Sequence, residues 1–307
     1  MAEPNTLGTH KTRGTVFIII SALMFGSYGV WSRLLGPHFG VITQGWTRAL
    51  IAIVIILPIV LWKKELVPIP RSDWKWMTVY LVFTSATQAP VYYAFNHMDI
   101  GTATLLFYVT VLLTMYIVGV LFLGEKLDRV KVIAFILACI GLYAIFSFSL
   151  IHFALLAALM AALNGVASGG EISFSKKLSD KYSTVYLTLL SWVAIVVTNI
   201  PISLWLKESV VLPAFTVSWL YMLGYALTGL LGFWLIIAGL KYAEASLGGL
   251  LGLLEIIFSI AFGILLFHEQ LSGRIIFGGL LILAAAALPH IVDLLKSPRK
   301  PDINPIG

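Results

Sequence analysis

An acidic residue, Glu255, stands in the middle of an otherwise uncharged and largely apolar run over residues 246–267. A charge at the centre of a membrane span costs roughly 2.5–3.5 kcal/mol on insertion scales, so such residues mark special sites. Small residues on its helical face favour packing against other helices rather than lipid, so Glu255 is expected to point inward. Its carboxyl either locks helix packing, binds a cationic group or carries a proton. The small residues on its face are Gly248, Gly252, Ser259 and Gly263.

A second acid, Glu171, repeats this pattern in the run 151–175. It shares a polar helical face with Asn164, two turns earlier. One interpretation is a local ion pair with Lys176 or Lys177, which follow directly. The other is a second carboxyl that takes part in proton coupling.

A basic residue, Arg48, lies inside the run 42–62, one helical turn after Gln44. A guanidinium forks onto a carboxylate through two parallel hydrogen bonds, so this arginine suits the binding of an anionic group. Alternatively, its long side chain snorkels to the membrane surface. The sequence does not show whether Arg48 and Glu255 meet.

Polar and aromatic residues complete the set of candidates. In the run 74–96, Pro90 lies between Gln88 and Tyr92 and is expected to kink the helix. The tyrosines of this run alternatively pack at the membrane interface. We predict these solute-binding residues: Glu255, Arg48, Gln44, Gln88, Tyr92, Asn164, Trp192 and Trp234. The candidates for proton coupling are Glu255 and Glu171.

Neither a metal site, a cofactor site nor a catalytic group is predicted. The six histidines show no HExxH-like spacing, and the one cysteine, Cys139, excludes an internal disulfide framework. The sequence has no Walker A motif. A membrane-embedded enzyme would need a cluster such as paired aspartates, and the spans carry none.

The composition requires a membrane to position these residues. The chain is 60% hydrophobic and 11% charged, with a mean hydropathy of +0.98. Soluble domains are about 45–50% apolar and about 25% charged. We therefore predict an all-α integral membrane protein with ten transmembrane helices. The predicted spans are 14–35, 42–62, 74–96, 101–123, 129–148, 151–175, 184–206, 217–240, 246–267 and 272–292.

The basic residues orient these spans. If both termini are cytoplasmic, 16 of the 20 lysines and arginines fall in cytoplasmic segments, as the positive-inside rule requires. The net charge of +6 is explained by these loops, so no nucleic-acid partner is predicted. The expected partners are a small organic solute and the lipid bilayer, with the chain as a monomer or a homodimer.

An internal repeat relates the two halves. At an offset of 144 residues, "LFYVTVLLTMYIVGVLFLGEKL" (106–127) aligns with "LLGLLEIIFSIAFGILLFHEQL" (250–271). Five spans are an odd number, so the second copy enters the membrane inverted, an arrangement typical of secondary transporters. The expected divisions are tails at 1–13 and 294–307 and five-helix repeats at 14–148 and 149–293. The turns at the ends of the fourth and ninth spans contain Glu125 and Glu269. Each of these glutamates is expected to cap the helix that follows its turn.

Ten spans in two inverted repeats, each with a Gly-Glu-Lys-Leu-like turn, resemble the EamA family of the drug/metabolite transporter superfamily. The stretches 94–127 and 238–271 are similar to the repeat signature of that family. Members of the family commonly carry Glu-Pro in the fourth helix of the repeat. Here Glu255 matches the glutamate but Ile256 replaces the proline, and Val111 replaces the glutamate in the first repeat.

This resemblance implies a secondary transporter that exports amino acids or related metabolites from a bacterial inner membrane. Alternating access between the two repeats would carry the solute. Two alternatives remain open from the sequence. The aromatic content also suits a cationic or quaternary ammonium solute through cation–π contacts, and a groove open to lipid would indicate a lipid-linked flippase.

Overall fold

The computed structural model describes residues 4–35, 39–98, 100–146 and 154–296. Residues 1–3 and 297–307 of the predicted tails lie outside these ranges. The described part folds into α-helices joined by turns. The helices are α1 (Pro4–Gly26), α2 (Tyr28–Leu35), α3 (Val41–Trp62), α4 (Trp74–Ser85), α5 (Ala89–His97), α6 (Ile100–Leu123), α7 (Arg129–Phe146), α8 (Leu155–Leu178), α9 (Thr184–Trp205), α10 (Val217–Leu240), α11 (Ala245–Gly252), α12 (Leu254–Phe267) and α13 (Gly273–Lys296).

Within these ranges, nine helical segments are long and apolar enough to cross a membrane. Two of these crossings, α1 with α2 and α11 with α12, each consist of consecutive helices. The predicted third span is present as α4 and α5, and each is too short to cross a bilayer alone. The ten-helix membrane architecture is therefore confirmed, with its third crossing divided.

The division of the third crossing follows from its sequence. The hydroxyl of Thr87 donates to the carbonyl of Thr84 at 2.7 Å, which closes the last turn of α4 locally. Pro90 then occupies the first turn of α5, where its missing N–H leaves no hydrogen bond unmade. The kink predicted at Pro90 is thus a full interruption over residues 86–88.

The two repeats interlock through equivalent helix pairs. Helix α3 packs on α9, and α7 packs on α13; in each pair the helices are counterparts in the two repeats. The contact of α6 with α8 has its counterpart in the contacts of α1 with α11 and α12. This pairing confirms the two inverted five-helix repeats.

Both ends of the helical bundle lie on one side. Thr15 Oγ1, near the start of α1, is 3.4 Å from His290 Nε2, near the end of α13. We call this side the terminal side and the other the opposite side. The helices alternate between the two sides, so the turns α6–α7, α8–α9 and α10–α11 lie on the terminal side.

Glycines allow the backbones of α7 and α13 to touch. A Cβ added to Gly278 would lie 2.5 Å from the carbonyl oxygen of Gly141, and one added to Gly141 would lie 2.8 Å from the carbonyl oxygen of Gly278. Neither carbonyl moves without moving its helix. Close approach through small residues is how membrane helices associate in the absence of a strong hydrophobic force between them.

We therefore expect Gly278→Ala to destabilise the protein by about 1–3 kcal/mol, the range for inserting a methyl group into a packed interior. The measurement is the thermal unfolding midpoint in detergent. Gly273→Ala, on the same helix, is the matched control, because nothing lies within 4 Å of a Cβ at that position. Equal midpoints for the two variants would contradict the close approach of α7 and α13.

Candidate functional site

A cavity of about 500 Å³ lies between the repeats. It is lined by helices of both repeats, among them α1, α3, α6, α8, α9, α10 and α12. Its volume falls in the range of about 300–1,000 Å³ that is usual for small-molecule sites. The cavity contains the predicted charged residues Glu255, Glu171 and Arg48 together.

Three interruptions of helices meet at this cavity. Gly26 and Tyr28 flank the break between α1 and α2, and Thr87 and Gln88 lie in the break between α4 and α5. Leu253 separates α11 from α12, although no proline is present there. Discontinuous helices at the centre of a membrane protein expose backbone polar groups where a solute binds.

The cavity is closed on one side only. Towards the terminal side, its lining residues Ile18, Met115 and Ile236 are buried. Towards the opposite side, Ser32 and Ser259 line it and are exposed. The structure is therefore a state in which the cavity is reached from the opposite side.

Arg48 is buried in the wall of the cavity, with a relative exposure of 6%, and does not snorkel to the surface. Its guanidinium carbon lies 4.7 Å from the ring centre of Tyr28 and 4.6 Å from that of Tyr225. The ring of Trp192 is farther, at 5.9 Å. Arg48 also donates to Gln88 Oε1 at 3.3 Å. Cation–π contacts and this hydrogen bond fix the plane of the guanidinium.

Glu171 is held by hydroxyl groups. Its Oε1 accepts hydrogen bonds from Ser191 at 2.6 Å and from Thr84 at 3.0 Å. The predicted ion pair with Lys176 or Lys177 is wrong: Lys176 pairs with Glu125, and Lys177 donates to a main-chain carbonyl of α6. The reason is position, because both lysines lie in the last turn of α8, next to the terminal-side end of α6.

Glu255 lies on the other wall of the cavity. It accepts a hydrogen bond of 2.5 Å from the hydroxyl of Tyr108, which joins α12 to α6. Unlike Glu171, it is only half-buried. A carboxylate has about four acceptor positions, so one hydrogen bond leaves room for a further donor. The structure therefore gives Glu255 a packing contact and places it in the cavity lining as well.

Two uncharged polar groups also line the cavity. Within the described part of the chain, Asn164 Oδ1 and Trp192 Nε1 are buried and have no hydrogen-bond partner. Buried polar groups are nearly always paired in proteins, so we expect these two atoms to form hydrogen bonds with a solute or a water molecule. Together they offer one acceptor and one donor.

The other predicted residues are placed as follows. Gln44 lines the cavity and donates to the main-chain carbonyl of Phe39 at 3.3 Å, and Gln88 lines it at the helix break. Trp234 is not among the residues that line the described cavity, and its ring lies 6.4 Å from that of Phe17. The side chain of Tyr92 lies outside the described part of the structure.

Sequence reasoning missed three residues of this site, Tyr28, Tyr225 and Ser191. The first two hold Arg48, and the third holds Glu171. A tyrosine or serine in an apolar span carries no strong signal by itself. Their partners lie 20 to 177 positions away in the sequence, and only the fold brings them together.

Comparison with known proteins gives the family. The sequence profile of the EamA-like transporter family matches residues 12–147 and again residues 154–289. No curated protein matches this sequence. A crystal structure of another protein has the same fold, with a TM-score of 0.77 and 17% identity, covering 93% of this chain and 99% of its own. Because the two profile matches cover most of the chain, the protein belongs to the EamA-like transporter family of the drug/metabolite transporter superfamily.

Proposed function

We propose that this multi-pass membrane transporter is a secondary exporter of small organic metabolites such as amino acids, working by alternating access between its two repeats and without an enzymatic step. One observation supports the solute class above the others. A fixed cation, Arg48, and two carboxyl groups, Glu171 and Glu255, line a single cavity of about 500 Å³. An amino acid carries the complementary charges at its two ends.

Arg48 is the group that we assign to the solute carboxylate. The rings of Tyr28 and Tyr225 fix the orientation of the guanidinium plane. A fixed guanidinium loses less conformational entropy on binding than a free one, and its fork matches a carboxylate. Asn164 and Trp192 then provide an acceptor and a donor for the rest of the solute.

Glu255 is the group that we assign to the solute ammonium. It is the more accessible of the two acids, and it has one hydrogen bond, from Tyr108, where Glu171 has two. An ammonium binds the ionised carboxylate, and a proton neutralises it. Solute and proton thus compete for Glu255, which is the physical basis of proton-coupled export. Glu171, the other carboxyl group in the cavity lining, is the second candidate for the proton.

A cationic or quaternary ammonium solute is the less favourable alternative. Two of the aromatic rings that line the cavity, those of Tyr28 and Tyr225, are already in contact with the guanidinium of Arg48. A second cation in the same place would be repelled in a medium of low dielectric. The contact of Arg48 with these rings therefore favours a solute with a carboxylate.

The proposed location is a bacterial inner membrane with both termini in the cytoplasm. The distribution of 16 of 20 basic residues supports this orientation. With this orientation, the opposite side faces outward and the cavity is open to the outside. The geometry of the cavity is compatible with transport in either direction, and export is our proposal from the family resemblance.

The direct test is flux in proteoliposomes. Purified protein is reconstituted, and a panel of amino acids, related metabolites and organic cations is followed with and without a pH gradient. We expect flux of at least one amino acid or carboxylate metabolite, stimulated by the gradient. Flux of organic cations alone would contradict the proposed solute class, and no flux of any solute would contradict the proposed function.

Arg48→Lys keeps the charge but removes the planar fork. We expect the solute concentration for half-maximal flux to rise roughly tenfold or more, because hydrogen bonds to charged groups contribute about 1.5–3 kcal/mol. The measurement is initial flux against solute concentration. The matched control is Arg274→Lys, an exposed arginine in the first turn of α13. An unchanged half-maximal concentration in Arg48→Lys would exclude a bidentate role.

Glu255→Gln keeps the shape and the bond from Tyr108 but removes the charge. We expect flux to fall roughly tenfold or more, since an ion pair with the ammonium is lost, and stimulation by a pH gradient to disappear. Asp180→Asn, an exposed change in the α8–α9 turn, is the control. If the Gln variant transports normally with full pH dependence, Glu255 serves helix packing only.

A further inference from the structure

Glu125 closes the terminal side by reaching from one repeat to the other. Its carboxylate accepts hydrogen bonds from the backbone N–H of Ala245, and from the N–H and hydroxyl of Ser246 at 3.1 and 2.7 Å. Lys176 also donates to it, at 3.2 Å. The side chain of Glu125 thus joins the end of α6, the end of α8 and the start of α11.

This arrangement corrects the expected role of Glu125. The sequence predicted that it caps the next helix, α7, but Asp128 does so by accepting from the N–H of Lys131 at 2.8 Å. Glu125 caps α11 instead, 120 residues away in the other repeat. Burial raises the pKa of its carboxyl, but the hydrogen bonds from Ser246 and Ala245 and the charge of Lys176 outweigh burial and hold the pKa below its ordinary value.

Glu269 is the counterpart of Glu125 in the inverted repeat. At both residues the chain turns back towards a glycine of the preceding helix. The N–H of Glu125 donates to the carbonyl of Gly119 at 2.9 Å, and the N–H of Glu269 donates to the carbonyl of Gly263 at 3.2 Å. Both also pair with a basic residue. Arg33 donates to Glu269 at 2.8 Å, as Lys176 donates to Glu125.

The two glutamates differ in one respect. Glu125 is buried and holds a helix start, whereas Glu269 is about half-exposed, at 57% of its side chain. Within the described residues, its side chain bonds Arg33 and no helix start. At the offset of 144 residues that relates the repeats, Gly101 and Thr102, in the first turn of α6, correspond to Ala245 and Ser246.

We infer that Glu125 and Glu269 are the gating residues of this transporter. Each alternates between holding and releasing the start of a helix in the other repeat. In the observed state, Glu125 holds α11 and the terminal side is closed. In the other state, Glu125 releases α11. The side chain of Glu269 moves from solvent into the bundle and caps α6 at Gly101 and Thr102, which closes the opposite side. This inference rests on the proposed alternating access.

The energetics follow from what differs between the two states. Only an interaction that is present in one state and absent in the other shifts their populations. The exposed pair of Arg33 and Glu269 contributes little to the observed state. The buried capture of Ala245 and Ser246 by Glu125 contributes more, since several of its hydrogen bonds go to a charged group.

The test is a distance measurement across the terminal side. Spin labels are attached to the full chain at Arg129→Cys, at the start of α7 in the first repeat, and Lys241→Cys, after α10 in the second repeat, both exposed positions. The background is Cys139→Ala, which removes the one native cysteine. The distance distribution is recorded in lipid nanodiscs without added solute, so the result does not depend on knowing the substrate.

The two glutamates are expected to act in opposite directions. Glu125→Gln should increase the population with a long distance, on the order of tenfold relative to the short one. Glu269→Gln should deplete the long-distance population. If Glu125→Gln does not fold, Ser246→Ala tests the same contact, with a smaller shift in the same direction.

Shifts in the same direction in both glutamate variants, or no shift in one of them, would overturn the gating inference. Failure of the proposed function looks different. In that case, the parent protein shows no flux of any solute, whatever the distances. Normal flux together with unchanged distances in Glu125→Gln would leave the transporter intact and remove the gate.

Discussion

A guanidinium does not lose its proton inside a protein, so Arg48 brings a permanent positive charge into an apolar bundle. That charge has to be compensated by the surrounding residues. Tyr28 and Tyr225 contribute their ring faces, and Gln88 contributes an acceptor. These partners come from three different crossings, α2, α10 and the break between α4 and α5. The position of this one charge therefore depends on how both repeats pack.

The interruptions of the helices serve the same site. Glu255 lies just after the interruption at Leu253 in its crossing, and Gln88 lies within the break between α4 and α5. A continuous apolar helix would present only side chains to the cavity. Interrupted helices are the usual setting of solute sites in membrane transporters. The charges and the breaks thus form one polar region enclosed by apolar packing.

The sequence predicted the fold well because hydropathy and the inverted repeat are strong, periodic signals. It also singled out Glu255, Glu171 and Arg48, since a charge in an apolar span is conspicuous, and the structure places all three in the lining of one cavity. It missed Tyr28 and Tyr225, which look like ordinary span residues, and it assigned Glu125 to the wrong helix. Those contacts join residues 20 or more positions apart, and their geometry depends on how the helices pack.

The asymmetry between the repeats matters for mechanism. Glu255 has a valine as its counterpart in the first repeat, so the proposed solute site is not duplicated. The turns with Glu125 and Glu269, by contrast, are nearly equivalent in sequence and in backbone structure. A single proposed site between two similar proposed gates is the arrangement that alternating access requires.

The most direct measurement is an experimental structure of the protein with a transported amino acid bound in the cavity. The account predicts that the solute carboxylate lies within hydrogen-bond distance of the Arg48 guanidinium, and that the ammonium faces Glu255. A solute bound outside this cavity, or bound within it without contact to Arg48, would contradict the account.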